Sequence, residues 1–216
     1  RAIILGLAKK NPARMVGNIK YKKVKVDFWT LEEFQKVISL LYKGDYYEHY
    51  LFICFWLLFT TGLRIGEAAA LQWDDIDFES GILSVTKTLY YKSMNEYKFV
   101  DPKTSASIRT VVLDEDTIRE LKDWREVQKK VLKDCNFVLS YSGIPTSKHT
   151  LPRALEKLAG LAGVHRIKIH ALRHSHVALL ISMGVNPLIV KDRLGHEKSQ
   201  TTLGTYGHLG PNSNFE

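Results

Sequence analysis

One stretch of nine apolar residues, LFICFWLLF at 51–59, limits the folds open to this chain more than any other feature. A helix needs roughly 20 apolar residues to cross a membrane, so this stretch is too short to do so. A helix that is apolar on all sides must be covered on all sides by other elements. The stretch therefore predicts a core helix over about 46–59 and a chain without a membrane segment.

Apolar residues at helical spacing predict further helices on both sides of this one. Thr30 and Glu33 form a capping box that starts a helix, and Gly44 ends it. Asp114 caps a long helix that reaches about residue 133. The remaining predicted elements are helices near 66–72, 147–161, 170–183, 187–194 and 198–207, and a short extended piece, NFVLS, at 136–140.

Residues 76–113 have a different character, because β-branched and aromatic residues dominate them. Turn signals lie at Ser80-Gly81 and around Pro102–Ser107, which is typical of short antiparallel strands. The segment predicts one small sheet near the middle of the chain. The expected fold class is mainly α with a small antiparallel β-sheet (α+β).

Composition indicates a globular domain with an acidic partner. The chain has 216 residues and is 45% hydrophobic, which is enough for a sizeable core. Lys and Arg number 31 against 23 Asp and Glu, a net charge of +8 that suits nucleic acid. Only two cysteines are present, Cys54 and Cys135, which favours a reducing compartment and no disulfide framework.

The first residues differ from the rest of the chain. Residues 1–15 resemble the end of a helix that Asn11-Pro12 interrupts, and the lysine-rich GNIKYKKVKV follows as a linker. We expect residues 1–23 to be the end of an upstream domain with its linker. A compact catalytic domain is expected over residues 24–216.

The stretch TTGLRIGEAAALQWDDID contains the first pair of candidate site residues. Arg64 and Glu67 are three residues apart at the start of a predicted helix, so they face the same side. A local ion pair on the surface would explain them equally well.

The stretch HALRHSHVALLISMGV contains the second pair. His170 and Arg173 share a face at a helix start, where free N–H groups and a guanidinium together favour a phosphate. For His174 and His176, packing or solvent contact is the simpler interpretation. His170 and His174 have a spacing that could bind a metal ion, but the glutamate of the metalloprotease pattern is absent and Arg173 would repel the ion.

Three further candidates lie at turns or near the end of the chain. Lys103 follows a proline at a predicted hairpin turn in DPKTSASIRTV, where an ordinary exposed lysine is the alternative. His196 follows Gly195 at a helix end. Tyr206 lies among small and polar residues in TTLGTYGHL, where the alternative is a partly buried anchor.

These side chains together fit one reaction, the transfer of a DNA phosphodiester to a tyrosine. Preorganised cations stabilise the charge on the nonbridging oxygens in the transition state. The phenol has to lose a proton, and the leaving alkoxide has to gain one. Six side chains meet these needs without a metal or another cofactor: Arg64, Lys103, His170, Arg173, His196 and Tyr206.

The stretches GLRIGE, PKTSASIR, HALRHSH, LGH and TTLGTYGH, in this order and spacing, resemble the active-site motifs of the tyrosine recombinase (phage integrase) family. The similarity runs from about residue 24 to residue 209 and is greatest to integrases of Gram-positive phages and mobile elements. It implies the catalytic-domain fold of that family. The implied activity is site-specific recombination that integrates or excises a phage or mobile element.

The resemblance also implies how the phosphate is bound. Arg64 and Arg173 bind the scissile phosphate, and His196 hydrogen-bonds a nonbridging oxygen. Glu67 supports the site from behind by holding Arg64 or His170.

The proton transfers follow from the same resemblance. Tyr206 attacks and forms a 3′-phosphotyrosyl link, with His170 as general base and acid beside it. Lys103 protonates the leaving 5′ oxygen.

The implied partner is double-stranded DNA with a specific recombination site. The full-length protein is expected to form a homotetramer on DNA in the bacterial cytoplasm, with accessory DNA-bending or directionality proteins. The reaction is expected to need neither metal nor ATP. Two alternatives stay open: a type IB topoisomerase-like relaxing enzyme, and a non-catalytic DNA-binding protein with a relic site.

Overall fold

The computed structural model describes residues 26–93, 96–102, 105–146 and 149–195. In these ranges the helices are α1 (Leu31–Ile38), α2 (Tyr46–Thr61), α3 (Ile65–Ala70), α4 (Glu115–Val131), α5 (Thr150–Ala162), α6 (Ala171–Ser182) and α7 (Pro187–Leu194). The strands are β1 (Ile76–Asp77), β2 (Ile82–Val85), β3 (Thr88–Ser93), β4 (Glu96–Val100) and β5 (Arg109–Val112). Short 3-10 turns lie at Trp73–Asp75 and Ser105–Ser107. The predicted class, mainly α with minor antiparallel β-structure, is confirmed.

Helix α2 forms the centre of the core, as its apolar sequence predicts. It contacts α1, α3, α4, α5 and α6. Phe55 is fully buried, and the ring of Phe59 stacks on that of Phe34 in α1 with 3.8 Å between centroids. Cys54 is buried here as a free thiol. Within the described ranges, none of the helices has the length and apolar character needed to span a bilayer.

Helix α1 begins as predicted but ends earlier. The capping box is confirmed, since the Thr30 hydroxyl accepts from the Glu33 N–H and the Glu33 carboxylate accepts from the Thr30 N–H. The predicted end at Gly44 is wrong, because the helix closes at Ile38 and the chain continues in tighter turns. Leu41 packs against the core from such a turn. The apolar residues therefore keep a helical spacing for several residues beyond the end of the helix.

The β-segment forms two sheets, so the prediction of one sheet is wrong. Strands β1, β2 and β5 form an antiparallel sheet in which Ser84 pairs with Thr110. Strands β3 and β4 pair only with each other, among the described residues. After β2 the chain leaves the first sheet to form the β3–β4 hairpin, and it returns as β5 to pair with β2. Strand β5 and the chain before it are thereby placed next to α3 and α7.

The second half of the chain agrees closely with the predicted elements. Asp114 caps α4 by accepting from the Thr117 N–H at 2.8 Å. Phe137, in the short extended piece, forms an isolated antiparallel bridge with Gln72. Helices α5, α6 and α7 lie where the spacing predicts them. The predicted helix at 198–207, and the helix end and linker over 1–23, lie outside the described residues.

Candidate active site

Arg64 lies in the short connection between α2 and α3. Gly62 ends α2 with a left-handed φ of 65°, and Arg64 occupies the cap position of α3. A Cβ on Gly62 would lie 2.6 Å from the Cδ2 atom of His176, so only glycine allows the end of α2 to pack this closely on α6. The Arg64 side chain is 37% exposed and can reach a ligand in solvent.

Glu67 lies one helical turn after Arg64, and its carboxylate is buried. One oxygen accepts from Arg64 Nη1 at 2.7 Å and Arg109 Nη1 at 3.2 Å. The other oxygen accepts from the Arg64 backbone N–H and from Arg109 Nη2, both at 2.9 Å. The pair Arg64–Glu67 is therefore not an isolated surface ion pair. It is the outer part of a buried network.

The charge state of Glu67 follows from this network. Burial alone would raise the pKa of the carboxyl, but the hydrogen bonds and charge of Arg109, together with hydrogen bonds from Arg64, outweigh it. The pKa of Glu67 lies below its ordinary value. A permanent carboxylate is thus held against Arg64.

Arg109 is the residue of this network that the sequence analysis did not single out. It is the first residue of β5, and its side chain is only 6% exposed. A signal was present in the sequence, because Arg109 shares a strand face with the buried Val111. An arginine on an inward-facing position needs acceptors inside the protein, such as a carboxylate or backbone carbonyls.

Arg173 fixes the start of α6 against the ends of two other helices. Its guanidinium is buried and donates to the carbonyl of Gly62 at 2.7 Å and to that of Leu194 at 2.8 Å. Both acceptors belong to helix C-terminal ends, where the helix dipole favours a cation. Burial and the charge of Arg64 lower the pKa of Arg173 to about 9, so the guanidinium remains charged at neutral pH.

His170 lies at the cap position of α6 and is exposed to solvent. Partial desolvation lowers its pKa, and the positive charges of Arg173 and Arg64 lower it further, against the opposing effect of Glu67. The imidazole is therefore neutral at neutral pH and can accept a proton. His170 begins the helix of Arg173, whose guanidinium donates to the carbonyl of Gly62, two residues before Arg64.

The two other histidines of α6 differ from each other. His174 packs edge-on against the His170 ring at 5.1 Å, and desolvation and that ring lower its pKa to about 4. His176 is buried, and its Nε2 atom accepts from Arg193 Nε at 3.1 Å. The packing interpretation therefore fits His176. Within the described ranges, no group of three or more His, Cys, Asp or Glu side chains could hold a metal ion.

Lys103, His196 and Tyr206 lie outside the described residues. The described segments that adjoin Lys103 and His196 are close to one another. Gly195, which precedes His196, packs so tightly that an added Cβ would lie 2.6 Å from the Ala106 carbonyl oxygen and 3.2 Å from the Cα atom of Ser107. The end of α7 thus contacts the short turn that follows Lys103.

Comparison with known proteins identifies the family. The sequence pattern of the phage integrase family matches residues 28–212, and the chain belongs to that family. The ICEBs1 integrase of Bacillus subtilis (strain 168) is 34% identical over 218 residues, covering 97% of this chain and 58% of that protein. The integrase of Staphylococcus phage L54a is 27% identical, covering 69% of this chain and 45% of that protein.

A solved structure supports the same fold. The Tn1549 transposon integrase, in complex with transposon right end DNA, superposes with a TM-score of 0.78 at 23% identity, covering 97% of this chain and 71% of that chain. The predicted catalytic-domain fold and the similarity to integrases of Gram-positive phages and mobile elements are confirmed. This chain spans little more than half the length of the ICEBs1 integrase.

The packing at Gly195 predicts an unequal effect of two similar substitutions. Gly195 and Gly163 both cap helices with left-handed φ angles, 64° and 67°, but only the former has atoms within 4 Å of an added Cβ. Gly163→Ala should cost roughly 1–2 kcal/mol of conformational strain. Gly195→Ala should cost a further 1–3 kcal/mol, approximately, because the turn at 105–107 has to move. Urea denaturation measures the loss of unfolding free energy in each variant. Equal losses would contradict the close packing of Gly195 on the turn at 105–107.

The charge network predicts how stability depends on pH. The pKa of Glu67 is lower in the folded state than its unfolded value of roughly 4.3. Its stabilisation is therefore complete above about pH 4.3 and is lost as the pH falls through the folded-state pKa. The free energy of unfolding of Glu67→Gln should differ most from wild type above that pH and less in acid. Glu79→Gln, at an exposed position, is the control. If the difference in unfolding free energy between wild type and Glu67→Gln grows in acid, the lowered pKa of Glu67 is wrong.

Proposed function

We propose that this chain is the catalytic domain of a site-specific DNA recombinase, which cleaves and rejoins DNA through a covalent 3′-phosphotyrosyl intermediate. The observation that carries the proposal is the arrangement of Arg64, Arg173 and His170. They come from two stretches more than a hundred residues apart, yet Arg173 donates at 2.7 Å to the carbonyl of Gly62, two residues before Arg64, and His170 begins the helix that carries Arg173. This cluster sits in a member of the phage integrase family.

The two arginines bind the scissile phosphate. A guanidinium forms two hydrogen bonds to phosphate oxygens and remains charged throughout the reaction. Arg64 is restrained by Glu67 and Arg173 by two backbone carbonyls, so their orientation requires little reorganisation when charge develops. His196 hydrogen-bonds a nonbridging oxygen of the same phosphate.

The proton transfers accompany an in-line displacement. The Tyr206 oxygen attacks phosphorus and gives its proton to His170, whose lowered pKa leaves the imidazole neutral and able to accept it. The bond from phosphorus to the 5′ oxygen breaks, and Lys103 protonates that oxygen. Rejoining is the reverse sequence, with a 5′ hydroxyl as the attacking group.

The proposed partners and boundaries follow from the family. The substrate is double-stranded DNA with a specific recombination site, and the longer protein acts as a homotetramer with accessory DNA-bending or directionality proteins in the bacterial cytoplasm. Residues 1–23 belong to an upstream domain and its linker, and residues 24–216 form the catalytic domain. The reaction uses no metal or other cofactor.

The relaxing-enzyme alternative shares this chemistry and differs in its requirements. Relaxation needs one protomer and no particular sequence, whereas recombination needs two sites. Supercoiled plasmid without a recombination site distinguishes them. Rapid relaxation of that plasmid would favour the topoisomerase-like activity over the proposed one.

The first prediction concerns the nucleophile. Tyr206→Phe removes only the attacking oxygen, so it should abolish covalent attachment to a nicked suicide duplex while DNA affinity changes little. Denaturing gel electrophoresis of labelled DNA measures the adduct. An adduct formed by Tyr206→Phe would show that another residue attacks. A wild-type protein that binds the site and never forms an adduct would favour the non-catalytic alternative.

The second prediction concerns the general acid. Lys103→Ala should cleave ordinary DNA slowly, because an alkoxide leaves poorly without a proton. Sulfur at the 5′ bridging position should restore most of the rate, because thiols are far more acidic, with pKa values near 8.5. The same sulfur should not rescue Arg64→Ala, whose defect lies at the nonbridging oxygens.

Neighbouring lysines provide controls for that experiment. Lys87 forms an ion pair with Asp75 at 2.9 Å, and Lys92 forms one with Glu96 at 2.9 Å. Lys98 lies over the Tyr90 ring. Alanine variants of these three lysines should cleave ordinary DNA at near wild-type rates. Sulfur rescue of one of them, and not of Lys103→Ala, would identify that lysine as the acid.

A further inference from the structure

Arg109 is a buried cation to which the proposed chemistry gives no role. Its Nε atom donates to the Arg193 carbonyl at 2.7 Å, and its Nη1 atom donates to the Ser107 carbonyl at 3.1 Å. Both terminal nitrogens also bind Glu67. One guanidinium thus connects α3, the turn at 105–107 and the end of α7.

These contacts lie next to three of the assigned residues. Glu67 holds Arg64 directly. Ser107 is the last residue of the turn that follows Lys103, and Arg193 is three residues before His196. Arg109 is therefore at the point where α3 meets the turn at 105–107 and the end of α7, the described parts of the chain next to those residues.

We propose that Arg109 is a positioning residue for DNA cleavage, which rests on the proposed function of the site. Arg109 donates to both oxygens of the Glu67 carboxylate, so Arg64 does not have to compensate that charge alone. The Arg64 guanidinium therefore keeps N–H donors for the scissile phosphate. Arg109 also holds the backbone of the turn at 105–107 and of the end of α7 through the Ser107 and Arg193 carbonyls.

The physical reason is the cost of a buried charge. A buried carboxylate needs compensation, and here two arginines supply it. Without Arg109, the Arg64 guanidinium is the only cation bound to Glu67 among the described residues, and it turns inward to compensate the charge alone. The side chain then no longer presents its donors to DNA, and a displacement of about 1 Å at such a site can cost roughly a hundredfold in rate.

Lysine cannot replace Arg109 in this role. A lysine retains the charge but has a single nitrogen, so it cannot bind Glu67 on two atoms while also reaching two carbonyls. Arg109→Lys should therefore cleave faster than Arg109→Ala but well below wild type.

The test measures single-turnover cleavage of a suicide duplex at saturating DNA, DNA affinity and melting temperature. Arg109→Ala should cleave about a hundredfold slower, with a DNA dissociation constant within about threefold of wild type, because the Arg64 contact is only one of the many phosphate contacts that set DNA affinity. Arg125→Ala is the matched control, since Arg125 is a partly buried arginine that stacks on the Trp73 and Phe78 rings of another region. At an equal loss of melting temperature, Arg125→Ala should cleave within about threefold of wild type.

A double-mutant cycle separates positioning from general destabilisation. If Arg109 acts through Glu67, Arg109→Ala combined with Glu67→Gln should cleave no more slowly than the slower single variant. Multiplicative losses in the double variant, or equal losses for Arg109→Ala and Arg125→Ala at matched stability, would overturn the proposal.

A measurement without cleavage distinguishes this proposal from the proposed function. The side-chain N–H resonance of Arg64, observed by NMR in the DNA-free protein, should shift in Arg109→Ala and not in Arg125→Ala. An unshifted resonance contradicts the positioning role whatever the enzyme does. If wild type forms no adduct while the resonance shifts, the proposed function fails and the Arg109–Glu67–Arg64 coupling stands.

Discussion

The buried carboxylate of Glu67, held between Arg64 and Arg109, is the interaction on which the rest of the site depends. Removing a carboxylate from water is costly, and four hydrogen bonds from two arginines offset that cost here. Each of these bonds supplies part of the compensation, and the two guanidinium groups supply the opposite charge. Helix α3 and strand β5 are thereby fixed relative to each other, and the exposed arginine is fixed relative to both.

The apolar helix α2 determines where this network lies. Helix α2 is covered by α1, α3, α4, α5 and α6, and Arg64, the exposed member of the network, follows two residues after the glycine that ends α2. Gly62 turns the chain there, and its carbonyl accepts from the buried Arg173. The same end of α2 thus starts the path to Arg64 and holds the second arginine. The core and the two arginines that we propose to bind the phosphate are parts of one packing arrangement.

Local sequence signals predicted the elements well where the deciding contacts are local. The capping box at Thr30, the cap at Asp114 and the apolar stretch of α2 each depend on residues within one or two turns. The end of α1 was predicted wrongly because Leu41 packs on the core from a turn, which periodicity cannot distinguish from a helix. The β-segment divides into two sheets because β2 pairs with β5 across an inserted hairpin. Local sequence signals do not predict such a long-range pairing.

The candidate site shows the same difference between residues that local patterns identify and a residue that only a long-range contact identifies. Arg64, Glu67, His170 and Arg173 are predicted from the sequence motifs. The structure places Glu67 against Arg64, and it joins Arg173 to the Gly62 carbonyl two residues before Arg64. Arg109 was missed because its partner, Glu67, lies 42 residues away in sequence. The position of one residue in a strand also says little about whether its side chain is buried. The placement of Lys103, His196 and Tyr206 lies outside the described residues, and their roles stay predictions.

The identity of the residue that becomes joined to DNA tests the central claim most directly. Wild-type protein is trapped on a nicked suicide duplex, digested with protease and nuclease, and the modified peptide is sequenced by mass spectrometry. The predicted result is a nucleotide attached through a 3′ phosphate to Tyr206 in the peptide that contains TTLGTYGHL. A nucleotide on any other residue, or attachment through a 5′ phosphate, would contradict the assignment of the nucleophile and with it the proposed reaction.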